Sequence, residues 1–171
     1  EKKSNLDYFI DAFGTSKTPS KKHFLLTASS IDLSNGRFLL IDENHETVKP
    51  VDFTRLKILV TNFKVYGPEV YANIQKMSFL DHRGLYIKNL KGNYSFTQQH
   101  MILDKMEIET KESSIKGYAA LNYEIDDFSD FQNKVEFDVK LKSAKLASND
   151  IRYFYDELGK NRIFSLKTKV K

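Results

Sequence analysis

The sequence predicts a mainly β protein: a long, curled antiparallel sheet with a groove-like apolar face, accompanied by two short amphipathic helices. Three observations carry this. Apolar and polar residues alternate over stretches of about ten residues, the period of a half-buried strand. Those stretches follow one another through short turns, which makes an antiparallel meander rather than βαβ units. One particular apolar spacing recurs in most of them.

The chain opens with the first helix. Leu6, Phe9, Ile10 and Phe13 fall at i, i+3, i+4, i+7, with Ser4 placed to cap the start and Gly14 to end it. A polar, lysine-containing linker covers residues 15–22. Residues 24–33 then alternate, Ser34-Asn35-Gly36 supplies hairpin-turn chemistry, and residues 37–41 return. Further strands read as residues 53–66, 70–80, 85–96, 101–110, 114–124 and 134–146. Gly67-Pro68 and residues 81–84, 97–100, 111–113 and 126–133 separate them. The second helix follows the plan of the first. Ser148, Asn149 or Asp150 caps it, Ile151, Phe154, Tyr155 and Leu158 make its apolar face, and Gly159 ends it. Both helices are about three turns long, too short to stand alone, so each must dock. Another strand begins at Ile163.

The recurring spacing is apolar-x-apolar-x-x-apolar-x-apolar. It is perfect at Leu26-Ala28-Ile31-Leu33, Ala72-Ile74-Met77-Phe79 and Val139-Leu141-Ala144-Leu146. With one blemish it recurs at Ile58-Val60-Phe63-Val65 and Met101-Leu103-Met106-Ile108, and Leu85-Ile87-Leu90 begins it. At this apolar content roughly 0.5 perfect matches would arise by chance in such a chain, against the three present. A double-polar step should throw the second apolar pair onto the opposite face. A bulge at that step keeps both pairs on one face, and bulges at similar heights in neighbouring strands bend the sheet. Copies in the middle of the chain recur at strand-plus-turn intervals, fitting strands roughly 33 Å long.

Composition sets the outer limits. Of 171 residues, 40% are apolar and 29% charged, with seven Gly and three Pro, which suits a folded chain with a thin core. Twenty-seven basic residues nearly balance 23 acidic ones, leaving +4, and the signs are interleaved. Nucleic-acid binders concentrate their positive charge, so no nucleic-acid partner is expected. With no cysteine there is neither a disulfide framework nor a thiolate metal site. No apolar stretch reaches the 18 or so residues of a membrane span. The chain starts without Met and ends at Lys171 in strand-like sequence. It therefore reads as an internal segment, one continuous unit over 1–171. A helix and linker occupy 1–22, strands 23–147, the second helix 148–159 and the next strand 160–171.

Chemistry-bearing motifs are sparse. His23, His45, His82 and His100 share no ligand spacing, and the turn Asp42-Glu43-Asn44-His45 reads as solvated. Asp126, Asp127 and Asp130 lie near Glu124, but the segment lacks the Gly and terminal Glu of a calcium loop. No phosphate loop, nucleophile elbow or paired-carboxylate motif is present. The reading is non-enzymatic, with no cofactor, metal or catalytic residue. Lys17, Lys21 and Lys22 read as a solubilising linker, with contact to anionic lipid as the other option. The stripes themselves allow two readings. One is an ordinary face packed against a second sheet or the helices. The other is a groove whose Leu, Ile, Met and Phe side chains suit hydrocarbon, which needs no hydrogen-bond partner.

The segment Ser148-Asn149-Asp150-Ile151-Arg152-Tyr153-Phe154, running to Leu158-Gly159 and back into strand at Ile163-Phe164-Ser165-Leu166, resembles a short helix found in the AsmA-like family. Asn89-Leu90-Lys91-Gly92-Asn93-Tyr94 and Ser114-Ile115-Lys116-Gly117-Tyr118-Ala119 look like that family's strand-Gly steps, and the stretch from Leu6 to Leu33 is similar in plan. The resemblance is to its TamB-type members. It implies a curled β-groove, the taco form, in a protein anchored in the inner membrane and crossing the periplasm of gram-negative bacteria. Its implied partners are phospholipid acyl chains and, through parts absent here, an Omp85-class outer-membrane barrel. The implied role is lipid transport in outer-membrane biogenesis. Two alternatives stand beside it: a chaperone-like or structural module binding outer-membrane strands by β-augmentation, and a closed β-sandwich interaction domain.

Overall fold

The structure is a computed structural model and describes residues 24–41, 51–124 and 135–167. Eight strands form a single antiparallel sheet in sequence order. They are β1 (Leu25–Leu40), β2 (Val51–Tyr66), β3 (Glu69–Asp81), β4 (Tyr86–Phe96), β5 (His100–Glu109), β6 (Ser114–Asn122), β7 (Glu136–Ala147) and β8 (Ile163–Lys167). One short helix, α1 (Ser148–Ile151), joins β7 to β8. The first predicted helix, the linker after it, the turn at Asp42–His45 and the aspartates 126, 127 and 130 lie outside the described residues.

The turns form where side chains take over the backbone's partners. Thr97 accepts the amides of Gln99 and His100 on its Oγ1, and Thr110 does the same for Glu112 and Ser113. A hydroxyl held over its own turn in this way favours reversal of the chain. Between β3 and β4, Asp81 accepts the Arg83 amide at 2.9 Å and the Arg83 guanidinium at 2.7 and 2.9 Å. Gly84 completes that turn at φ +99°, where an L side chain is strained.

Asp81 is buried, and its pKa lies below the usual carboxylate range, chiefly through the Arg83 side-chain hydrogen bonds, against the opposing effect of burial. A carboxylate whose folded value is depressed stabilises the fold above its unfolded value, near 3.9, and loses that contribution as pH falls through the folded value. Thermal melts below about pH 4 should therefore show a steeper loss of stability for the wild type than for Asp81→Asn. At neutral pH the variant should be less stable by on the order of 1 kcal/mol, because the Arg83 end of the pair is wet.

Three expectations need correction. Ser34-Asn35-Gly36 is not a hairpin turn. β1 runs through it, pairing with β2 on both sides as Leu33↔Ile58, Gly36↔Leu56 and Phe38↔Phe53, with the register shifting at the Gly. Asn35 takes the left-handed conformation, φ 56°, and spends it on a bulge.

The second helix is one turn, not three. The three residues expected to cap it are engaged elsewhere. Ser148 Oγ accepts the Arg162 amide, the Asn149 amide donates to Glu112 and Asn161, and Asp150 accepts the hydroxyls of Thr110 and Ser113 at 2.5 Å each. Ala147 occupies the N-cap position, with no side-chain cap bond. Beyond Ile151 the Arg152 guanidinium donates to the carbonyls of Asp156 and Leu158, which folds the chain back on itself.

Finally, the predicted apolar helix face is dispersed. Phe154 lies under the Arg83 guanidinium, 4.0 Å from its ring centre, and the Tyr153 ring sits beside Gly84. The β7–β8 connection thus crosses one end of the sheet, tied to the β5–β6 and β3–β4 turns.

Candidate functional site

The double-polar steps predicted from spacing are register shifts in the sheet. In β2 the step at Thr61-Asn62 coincides with a shift between Thr61 and Lys64, and Asn62 has φ 52°. In β3 the shift falls between Ile74 and Met77, in β5 between Leu103 and Met106, and against β7 between Lys116 and Gly117, where Lys142 is the extra residue. Lys105, in the β5 step, has φ 51°. In β1 and β2 the steps sit directly opposite each other, Ala28↔Phe63 and Ile31↔Val60, so their mutual register is unbroken. β6 pairs Ile115, Gly117, Ala119 and Leu121 by plain alternation and carries no step of its own.

Each bulge returns the apolar set to the face it would otherwise leave. The consequence is a set of apolar rows crossing the sheet. One spans all eight strands: Leu33–Ile58–Met77–Leu90–Ile108–Ile115–Ala144–Leu166. A second runs Leu26–Val65–Val70–Phe96–Met101–Leu121–Phe137. Between them lie Ile31–Val60–Ile74–Gly92 and Met106–Gly117–Leu141, then Ala28–Phe63 and Ala72–Tyr94–Leu103–Ala119–Val139. Phe79 pairs with Ile87, Leu146 with Phe164, and Leu85 is buried at the β3–β4 turn. Every residue predicted for the stripe is accounted for in this way.

The sequence reading missed residues on the same face. Phe38 and Phe53 stack at one end, with centroids 5.9 Å apart, and the Phe53 ring tilts against the predicted Phe79 at 4.4 Å. Tyr94, Phe96, Phe137 and the β6 residues complete the rows. Simple alternation from the neighbouring stripe residues would have found most of them.

The opposite face is mostly polar, with Leu25, Leu39, Leu59 and Ile102 scattered across it. Thr61, Asn73, Asn93 and Asp104 form one row, and Lys91, Glu107, Lys116, Ser143 and Lys167 another. In the latter Lys116 reaches Glu107 at 3.1 Å. A shallow depression at the β5 and β7 bulges is lined by Asp104, Lys105, Gly117, Tyr118, Lys140, Leu141 and Lys142. Lys140 is paired with Asp138 at 2.8 Å and lies over the Tyr118 ring.

The apolar face is only partly covered. Among the described residues there is one sheet, with no second layer facing it. Val60, Ala72, Met106 and Ala144 are buried, but Leu26, Leu33 and Val139 are 45, 43 and 53% exposed. Most other stripe residues are half-buried. A folded domain rarely leaves so much contiguous apolar surface without an occupant.

Other chemistry is thin. Among the described residues no three His, Asp or Glu side chains converge as metal ligands. His82 lies 3.7 Å from the Asp81 carboxylate, and His100 starts β5 half-buried. His23 and His45 lie outside the described residues. No helix among the described residues is long and apolar enough to cross a membrane. Comparison of the chain with family models, with curated proteins and with solved structures finds no match.

Proposed function

We propose that this sheet is a segment of a lipid-transport conduit, in which acyl chains lie along the apolar rows of a curled, groove-like sheet while head groups stay in water at its rim. The observation that carries the reading is the uninterrupted apolar row from β1 to β8 on a face that no second layer covers among the described residues. Hydrocarbon is the occupant that such a face suits best. It needs no hydrogen-bond partner, and apart from the Tyr94 hydroxyl the side chains of the rows are hydrocarbon or thioether. The bulges support curling, because each bends its strand and raises local twist. The AsmA-like resemblance supplies the setting: the periplasm, an inner-membrane-anchored protein and an Omp85-class barrel met through other parts of it. Transport along such a face is passive, with chains sliding between equivalent apolar sites. A closed sandwich fits less well, since it requires the stripe to be buried against a second sheet.

The test is site-specific photocrosslinking from Ile74, Met77 and Leu103 in the functional protein in cells. Lipid adducts at all three positions are the expected result. Capture of protein alone, or of nothing, ends the proposal.

A further inference from the structure

The apolar rows contain one side-chain hydrogen-bond donor, the hydroxyl of Tyr94. Tyr94 sits in β4 between Ala72 of β3 and Leu103 of β5, one row in from the Phe96 row that borders the β4–β5 turn. Tyr123 is the natural comparison. It follows β6 and tilts its ring against Phe96, with centroids 6.4 Å apart. Tyr123 is buried and donates its hydroxyl to the Thr97 carbonyl at 2.9 Å. The Tyr94 hydroxyl has no hydrogen-bond partner among the described residues. It remains a neutral donor, because burial, and then the nearby Tyr123, hold its pKa above the ordinary tyrosine value.

An unpaired hydroxyl costs little while water reaches it, and Tyr94 is half-buried. Covering it changes that. An acyl chain laid over the Tyr94 row strips the hydroxyl of water and gives it no acceptor, so a purely hydrocarbon occupant is opposed at this one place. An occupant with an acceptor oxygen there is favoured instead. Resting on the lipid-conduit reading above, we propose that Tyr94 is the polar anchor of the lipid. Its hydroxyl donates to the acyl oxygen: the carboxylate of a fatty acid or the ester carbonyl of a glycerolipid.

The anchor also gives the lipid a direction. On one side of Tyr94 only the Phe96 row lies before the β4–β5 turn. On the other lie Gly92, Leu90 and Ile87 of the same strand, and beyond them the rings of Phe79, Phe53 and Phe38. The head group therefore leaves past Phe96 into water, and the tail runs toward Leu90. A chain lying the other way would put its oxygen among side chains that cannot donate to it.

Ligands with closely matched tails test this in the full chain: oleic acid, methyl oleate and octadecene, each displacing a bound apolar dye. The wild type should bind the acid, or the acid and the ester, about tenfold more tightly than octadecene, the effect of one hydrogen bond in a sheltered place. Tyr94→Phe keeps the ring and removes the hydroxyl. It should cut the preference to within about twofold, with an unchanged circular dichroism spectrum. Tyr123→Phe gives up the bond to Thr97 instead. It should lower the melting temperature and keep the preference. A Tyr94-dependent preference for the acid alone assigns a free fatty acid, and one for the ester as well assigns an esterified lipid. Equal binding of all three by the wild type, a preference that survives Tyr94→Phe, or one lost equally in Tyr123→Phe would overturn the anchor and leave the conduit standing. Binding of none of the three would overturn both.

Discussion

Gly117→Ala should be the most damaging single methyl group added to this sheet. A Cβ there would lie 2.2 Å from the Lys140 carbonyl oxygen and 3.0 Å from the Leu141 Cα. Both are backbone atoms, so no rotamer change relieves the clash. β6 and β7 must separate at the Lys142 bulge, breaking the pairing of Gly117 with Leu141 and loosening the Met106–Gly117–Leu141 row. Strain of this kind belongs to the upper part of the usual range for point substitutions, about 2–4 kcal/mol. In a chain of this size that lowers the melting temperature by roughly 5–15 °C. Gly36→Ala is the control. Its added Cβ would meet the Leu33 Cδ2 at 3.0 Å, the far end of a flexible side chain. It should cost under about 1 kcal/mol. Equal losses for the two variants in a thermal melt would mean that the β6–β7 approach is looser than described.

That close approach is also where the sequence was hardest to read. Gly117 looks like a gap in the β6 alternation. Its reason appears only once β7 is known to bulge beside it. The bulges themselves were legible, because a double-polar step inside an apolar stripe has no other way to keep one face apolar. Their backbone form was only partly so. Asn62 is a residue that tolerates the left-handed region, but Arg55 and Lys105 adopt it as well, at φ 52° and 51°, and neither type announces it. Asn35 shows the converse error. Asn-Gly is the strongest local signal for a hairpin, yet the β1–β2 ladder continues past it, and tertiary pairing converts the same left-handed residue into a bulge. The second helix failed for a related reason. Ser148, Asn149 and Asp150 are good caps in isolation, but the Thr110–Ser113 turn and the Asn161–Arg162 backbone compete for their side chains and win. From β2 onward, strand order and boundaries came through well, since each depends on alternation and turn residues within one segment, whereas the two strands read at residues 24–33 and 37–41 are the single strand β1. The eight-strand rows did not, because they depend on how seven pairings register with one another. What fills the apolar face was not legible at all from pattern. The same Leu, Ile and Met serve a core or a lipid equally.

A charge placed in the middle of those rows separates these uses. Ile74→Asp and Leu103→Arg both fall in the rows between the two long ones, on half-buried positions that face no second layer among the described residues. If the face is the closed core of a sandwich, each variant buries an unpaired charge, and losses of about 3–5 kcal/mol and a collapsed melting transition follow. If the face is an open apolar track, the new charge reaches water and the fold loses only on the order of 1 kcal/mol. The track itself would nonetheless be interrupted, because an acyl chain passing Ile74 would have to displace the water held by a carboxylate. The expected result is a melting temperature within about 2–4 °C of wild type, with lipid crosslinking from Met77 reduced at least tenfold in Ile74→Asp. Asn73→Asp is the matched control, one residue away and on the polar row Thr61–Asn73–Asn93–Asp104. It adds the same charge to the opposite face and should change neither quantity. Loss of lipid capture in both variants would point to net charge rather than to the apolar rows. Unfolding of Ile74→Asp alone would return the face to the role of a core. Only the combination of a stable fold, a blocked row and an indifferent polar face fits a sheet whose bulges keep one side apolar for a ligand rather than for a second layer of the protein.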